Sequence, residues 1–92
     1  MNLIGILKRN LELTRASQES DWSCMTAAEI AATLEHEINS LQSGSFVDRH
    51  ELKMLFAPTG PLQETAMANN WSNEYLKLSG MFDELIEKKS LR

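Results

Sequence analysis

Apolar positions recur at helical spacing along most of the chain and nowhere alternate with a period of two, so the pattern predicts helices and no strands. Over about residues 2–17, Leu3, Ile4, Leu7 and Leu11 make one stripe, while Ile6 and Leu13 make a second on another side. A helix apolar on two sides is expected to be central in a bundle or shared with a partner. Further on, Ala27, Ile30, Leu34, Ile38 and Leu41 fall in one narrow stripe, which predicts a single buried face.

Local signals divide these stripes into segments. Thr26 with Glu29 spells a capping box, in which each side chain satisfies an orphan backbone N–H, so a helix starts there. Gly44 is suited to a left-handed stop at its other end. Asp48 with Glu51 gives a second possible box, opening a short helix through Leu52, Leu55 and Phe56. Pro58 ends it, and Pro61 suits the first turn of the next piece, which carries Leu62, Ala66 and Met67 and ends at Asn69-Asn70. Ser72 is a possible cap for a last helix in which Tyr75, Leu78, Phe82, Leu85 and Ile86 share a face. Glu84 and Lys88 add a favourable pair one turn apart. Leu76 breaks that pattern from the polar side, and Gly80 follows it one turn later. The architecture expected is all-α: a small antiparallel bundle of four main helices, the third broken at Pro58–Pro61.

Length and composition narrow the picture. At 92 residues the chain is expected to form one helical domain, 1–92. The lone Cys24 excludes an internal disulfide and fits a reducing, cytoplasmic setting. No apolar run approaches the length of a membrane span, and the apolar start, Met1 to Leu7, is followed by Lys8 and Arg9, the reverse of a signal peptide's charge order. The net charge of −4 is unevenly spread. Residues 18–48 hold Glu19, Asp21, Glu29, Glu35, Glu37 and Asp48 without a lysine or arginine.

Motifs for chemistry are wanting. His50-Glu51 lacks the second histidine of a zinc-hydrolase helix, since Met54 stands one turn on. Glu35-His36-Glu37 are consecutive, so on a helix they point apart and cannot converge on one ligand; Glu29, Thr33, His36 and Ser40 align better, as a polar face. The four glycines are scattered and form no phosphate or dinucleotide loop. Cys24 has no recognisable histidine partner in the sequence. The expectation is therefore no enzymatic activity and no cofactor or metal. A helix-turn-helix outline around Asn69-Asn70 is opposed by Glu74, Asp83, Glu84 and Glu87 on the would-be reading helix. Nucleic acid is thus not the expected partner.

What remains is binding to another protein. An acidic module docking on a basic surface is the first expectation, with Asp21, Trp22, Glu29, Glu35 and His36 as contact residues. Small acidic inhibitors and immunity-type proteins share this general character. A homo-oligomer or accessory subunit is the alternative, built on the spare apolar pairs Ile6/Leu13 and Leu76/Gly80. Trp71, at a helix junction, is expected in the core.

Overall fold

A computed structural model describes residues 2–18, 25–44, 48–57 and 60–90, with backbone alone for 87–90. Its elements are α1 (Leu3–Arg15), α2 (Ala27–Gln42), α3 (Arg49–Leu55), α4 (Pro61–Ala68) and α5 (Ser72–Ser90). The all-helical expectation holds among the described residues. The broken third segment consists of two separate short helices, giving five in all. None of these helices is long and apolar enough to cross a membrane. Asp21, Trp22, Cys24, Pro58 and the side chains of Lys88, Lys89 and Arg92 lie outside the described residues.

Each helix start has a local cause. The Thr26/Glu29 box is complete: the Glu29 amide donates to Thr26 Oγ1 at 3.1 Å and the Thr26 amide to Glu29 Oε1 at 2.9 Å. Asn2, an unforeseen cap, accepts from the Gly5 amide at 2.8 Å. At α3 only half of the expected box forms. Asp48 caps the Glu51 amide at 3.0 Å, but the Asp48 amide turns to Glu37 on α2, at 3.3 Å from Oε2. Ser72 is already helical, and the Trp71 carbonyl accepts the first α5 bond, from Tyr75, at 2.9 Å.

The stops are equally specific. Gly44 follows α2 with φ +74°, the left-handed conformation expected of it. Asn70 takes φ +64° after α4, and the Trp71 amide reaches back to the Ala66 carbonyl at 3.0 Å. That is the six-to-one bond of a Schellman stop, here built on asparagine. The turn brings Trp71 back against the core, where it is buried and its indole N–H donates to Ser17 Oγ at 2.8 Å. The Asn69 amide group ties down the same corner, accepting from the Gln18 amide at 2.8 Å and donating to the Gln18 carbonyl at 3.1 Å. The chain leaving α1 is thereby pinned to the α4–α5 junction.

One core joins all five helices, with α1 packed most extensively on α2. The α1 stripe differs from expectation. Ile6 is fully buried beside Leu3, Leu7 and Leu11, and Leu13 packs partly against the same core. The pair Ile6/Leu13 is therefore not a spare face. At about 100° per residue, Asn10 and Thr14 lie between Ile6 and Leu7 on the wheel and are buried with them. These polar residues divide one wide buried face into two apparent stripes when only apolar letters are counted.

Candidate functional site

The acidic third of the chain is largely occupied with the fold itself. Glu29 is exposed, but its carboxylate closes the α2 cap. Glu35, also exposed, pairs with Arg15 of α1. Asp48 caps α3, and Glu37 is inside the protein with only 1 % of its surface exposed. His36 stands exposed on the outer side of α2, between the paired Glu35 and the buried Glu37. The structure thus leaves Glu29, Glu35 and His36 on the surface of α2, while Glu29, Glu35, Glu37 and Asp48 all have contacts within the fold.

The two arginines of α1 are similarly engaged. The Arg9 guanidinium grips the Glu74 carboxylate of α5 through Nε at 2.5 Å and Nη2 at 3.0 Å, with Glu12 at 3.9 Å from Nη1. This two-pronged contact holds the Glu74 carboxyl below its ordinary value. With Arg15 on Glu35 as well, both arginines of α1 are matched by carboxylates, and α1 presents no arginine cluster to a phosphate backbone.

A different surface has the shape of a binding site. Between α3, α4 and α5 runs a groove of about 410 Å³ whose walls include Phe56, Tyr75 and Phe82. Phe56 and Phe82 stack with centroids 4.1 Å apart and planes 11° from parallel; Tyr75 lies 6.1 Å from Phe56 in a similar plane. Lys53, Gln63, Ser79 and Asp83 complete the lining with polar groups of both signs. Leu76 also lines this groove and is 61 % exposed.

The Tyr75 hydroxyl is enclosed and makes no hydrogen bond of good geometry. Burial raises its phenol above the ordinary value; nearby Ser79 opposes that rise and Asp83 adds to it. Gly80 lies exposed one turn after Leu76, and a Cβ placed on it meets nothing within 4 Å. No packing among the described residues accounts for that glycine. Among the described residues, Met54 and Met67 are the other large apolar side chains that stand exposed, on α3 and α4.

Two features of the structure escaped the sequence reading. Leu76 was legible as misplaced, but its neighbours Phe56 and Lys53 come from a helix some twenty residues away and nothing local joins them. Glu37 carried a usable signal. Seven residues after Ile30, it falls about 20° from that residue on the helical wheel, at the edge of the apolar stripe.

Among the described residues, no group of three or more histidine, cysteine or acidic side chains is placed to hold a metal ion. The fold and surface thus define a small all-α domain with an aromatic-walled groove. No family model, no curated protein and no solved structure matches the chain.

Proposed function

We propose that the protein is a small helical interaction module, which receives an apolar side chain of a partner protein in the groove between α3, α4 and α5. The observation that carries this reading is Leu76, a well-exposed leucine at a groove walled by three aromatic rings. Apolar anchors seated in such depressions, ringed by polar groups, supply most of the energy in many interfaces. The groove volume of about 410 Å³ lies within the range of pockets that take small ligands, and so leaves room for a side chain. Gly80, open on the same side of α5, lets a partner backbone come close without meeting a Cβ. The lone Cys24 is compatible with action in the cytoplasm.

The acidic surface of α2 is the second reading, favoured by the exposure of Glu29, Glu35 and His36. On that view Asp21 and Trp22 join them against a basic partner, in the manner of a small acidic inhibitor. A further copy of the chain is a third occupant of the groove, giving a homo-oligomer.

Light scattering at high concentration first separates self-association from binding to another protein. A partner captured from cells is then purified and titrated against wild type, Leu76→Glu and the double variant Glu29→Lys/Glu35→Lys. Leu76→Glu is expected to weaken the complex, or the homo-oligomer if that is what forms, by about 2 kcal/mol or more, about thirtyfold in Kd. The α2 double variant is expected to change it little. Unaltered affinity of Leu76→Glu refutes the groove reading, and selective loss in the α2 variant moves the interface to the acidic face.

A further inference from the structure

A second cavity, of about 240 Å³, lies between α2, α3 and α4 and shares no lining residue with the aromatic groove. Its body is apolar, formed by Met25, Met54, Leu55 and the ring of Pro61. Glu51 from α3 and Thr33 from α2 complete it, and no lysine, arginine or histidine is among the lining residues. Lys53, two residues after Glu51, lines the aromatic groove instead. Glu51 is held in position through its amide, which Asp48 caps at 3.0 Å, while its carboxylate makes no ion pair among the described residues. The Thr33 hydroxyl donates to the Glu29 carbonyl at 3.0 Å, which leaves its oxygen as an acceptor. Glu29 and Glu37 stand one turn before and one turn after Thr33, so two more carboxyl groups share that side of α2.

We propose that this cavity binds a small organic cation, an amine carried on an apolar body, with the ammonium group on the Glu51 carboxylate and the Thr33 hydroxyl and the body against Met25, Met54 and Leu55. The polar side chains of the lining offer acceptors to such a group, and their charge repels an anion. A metal ion does not fit, because among the described residues no three acidic side chains are placed to hold one. An apolar cavity of roughly 150 Å³ takes benzene, so the larger volume here suits a six-membered ring with a short arm. Met54 is 60 % exposed, and its unbranched thioether chain is able to fold over a ring in the cavity. The carboxylate selects the amine over a neutral molecule of the same shape, and the apolar walls select it over a bare ammonium ion. This site is separate from the groove between α3, α4 and α5 and does not rest on the function proposed for it.

Titration of the whole chain with benzylamine at neutral pH, followed by the NMR shifts of backbone amides and methionine methyl groups, tests the site. Saturable shifts are expected at Thr33, Glu51, Met54 and Leu55. Benzyl alcohol, which keeps the shape without the charge, is expected to bind the same residues about tenfold or more weakly, the loss of one hydrogen bond to a charged group. Benzoate and methylammonium are expected not to saturate them. Glu51→Gln is expected to erase the preference for the amine over the alcohol, and Thr33→Leu, which fills the cavity, to abolish binding of both. The comparison of the four compounds on the unaltered protein stands without either variant. Equal affinity for benzylamine and benzyl alcohol overturns the proposal. So does saturation of these residues by methylammonium or benzoate, a benzylamine response absent or confined to other residues, or a preference for the amine that survives in Glu51→Gln.

Discussion

Asn10 and Thr14 stand one turn apart in the middle of the buried face of α1, and each keeps an oxygen with no hydrogen-bond partner among the described residues. Asn10 still donates to the Ile6 carbonyl at 2.8 Å, whereas the Thr14 hydroxyl is unmatched. A buried polar atom without a partner costs about 1–3 kcal/mol, so its removal without change of shape is neutral or favourable. Thr14→Val is therefore expected to raise the free energy of unfolding by up to about 1 kcal/mol, measured by urea denaturation. A loss of stability greater than this range would mean that the hydroxyl is bonded in solution. The contrast is with the aromatic stack: Phe82→Ala, which empties a site against Phe56 at 4.1 Å, is expected to cost about 3–5 kcal/mol. Both polar positions could be read as interior from their place on the helical wheel, but threonine and asparagine are ordinarily assigned to the surface.

At the scale of elements, two glycines make opposite predictions under the same substitution. Gly60 joins α3 to α4, and a Cβ there would lie 2.8 Å from the Ala57 carbonyl oxygen and 2.9 Å from that of Met54. These are backbone atoms at the end of α3 and cannot swing aside. Gly60→Ala is expected to destabilise by about 1–3 kcal/mol, the usual range for overpacking. Gly80 sits inside α5 with open space around it, so Gly80→Ala is expected to stabilise by about 1 kcal/mol through helix propensity alone. Thermal melts of the two variants should move in opposite directions, and a joint shift of either sign contradicts the assignment. The sequence marked the stretch from Pro58 to Pro61 only as a break between helices. That its side of the corner is closed by two carbonyls depends on how α4 folds back on α3.

For the whole molecule, two carboxylates shape the pH dependence from opposite sides. Glu74, held low by Arg9, contributes stability that is present above the ordinary glutamate value and lost as pH falls through its lowered one. Glu37, raised by burial and Glu51, contributes stability that is present below the ordinary value and lost as pH rises through its raised one. Stability is thus expected to peak on the acid side of neutrality. Denaturation profiles from about pH 3 to pH 8 check this, with Glu37→Gln flattening the alkaline limb and Glu74→Gln the acid limb. An unchanged alkaline limb in Glu37→Gln excludes that carboxyl as its source. The pairing of Arg9 with Glu74 spans most of the chain, so no local pattern announced it.

By itself the sequence determined the helices, because caps, stops and apolar periodicity act within a few residues: Thr26 with Glu29, Gly44, and the Pro61 start are all where local chemistry requires them. It also revealed Leu76 and Gly80 as out of pattern. Only the tertiary structure decided what surrounds them. Packing of α3 and α4 on α5 turned an isolated leucine into part of an aromatic-walled groove. Packing of α1 on α2 turned an apparent spare stripe at Ile6 into core, and Glu37 of the acidic tract lies in the interior. The physical reason is common to all three. Capping and periodicity depend on neighbours along the chain, whereas burial and charge pairing depend on neighbours in space.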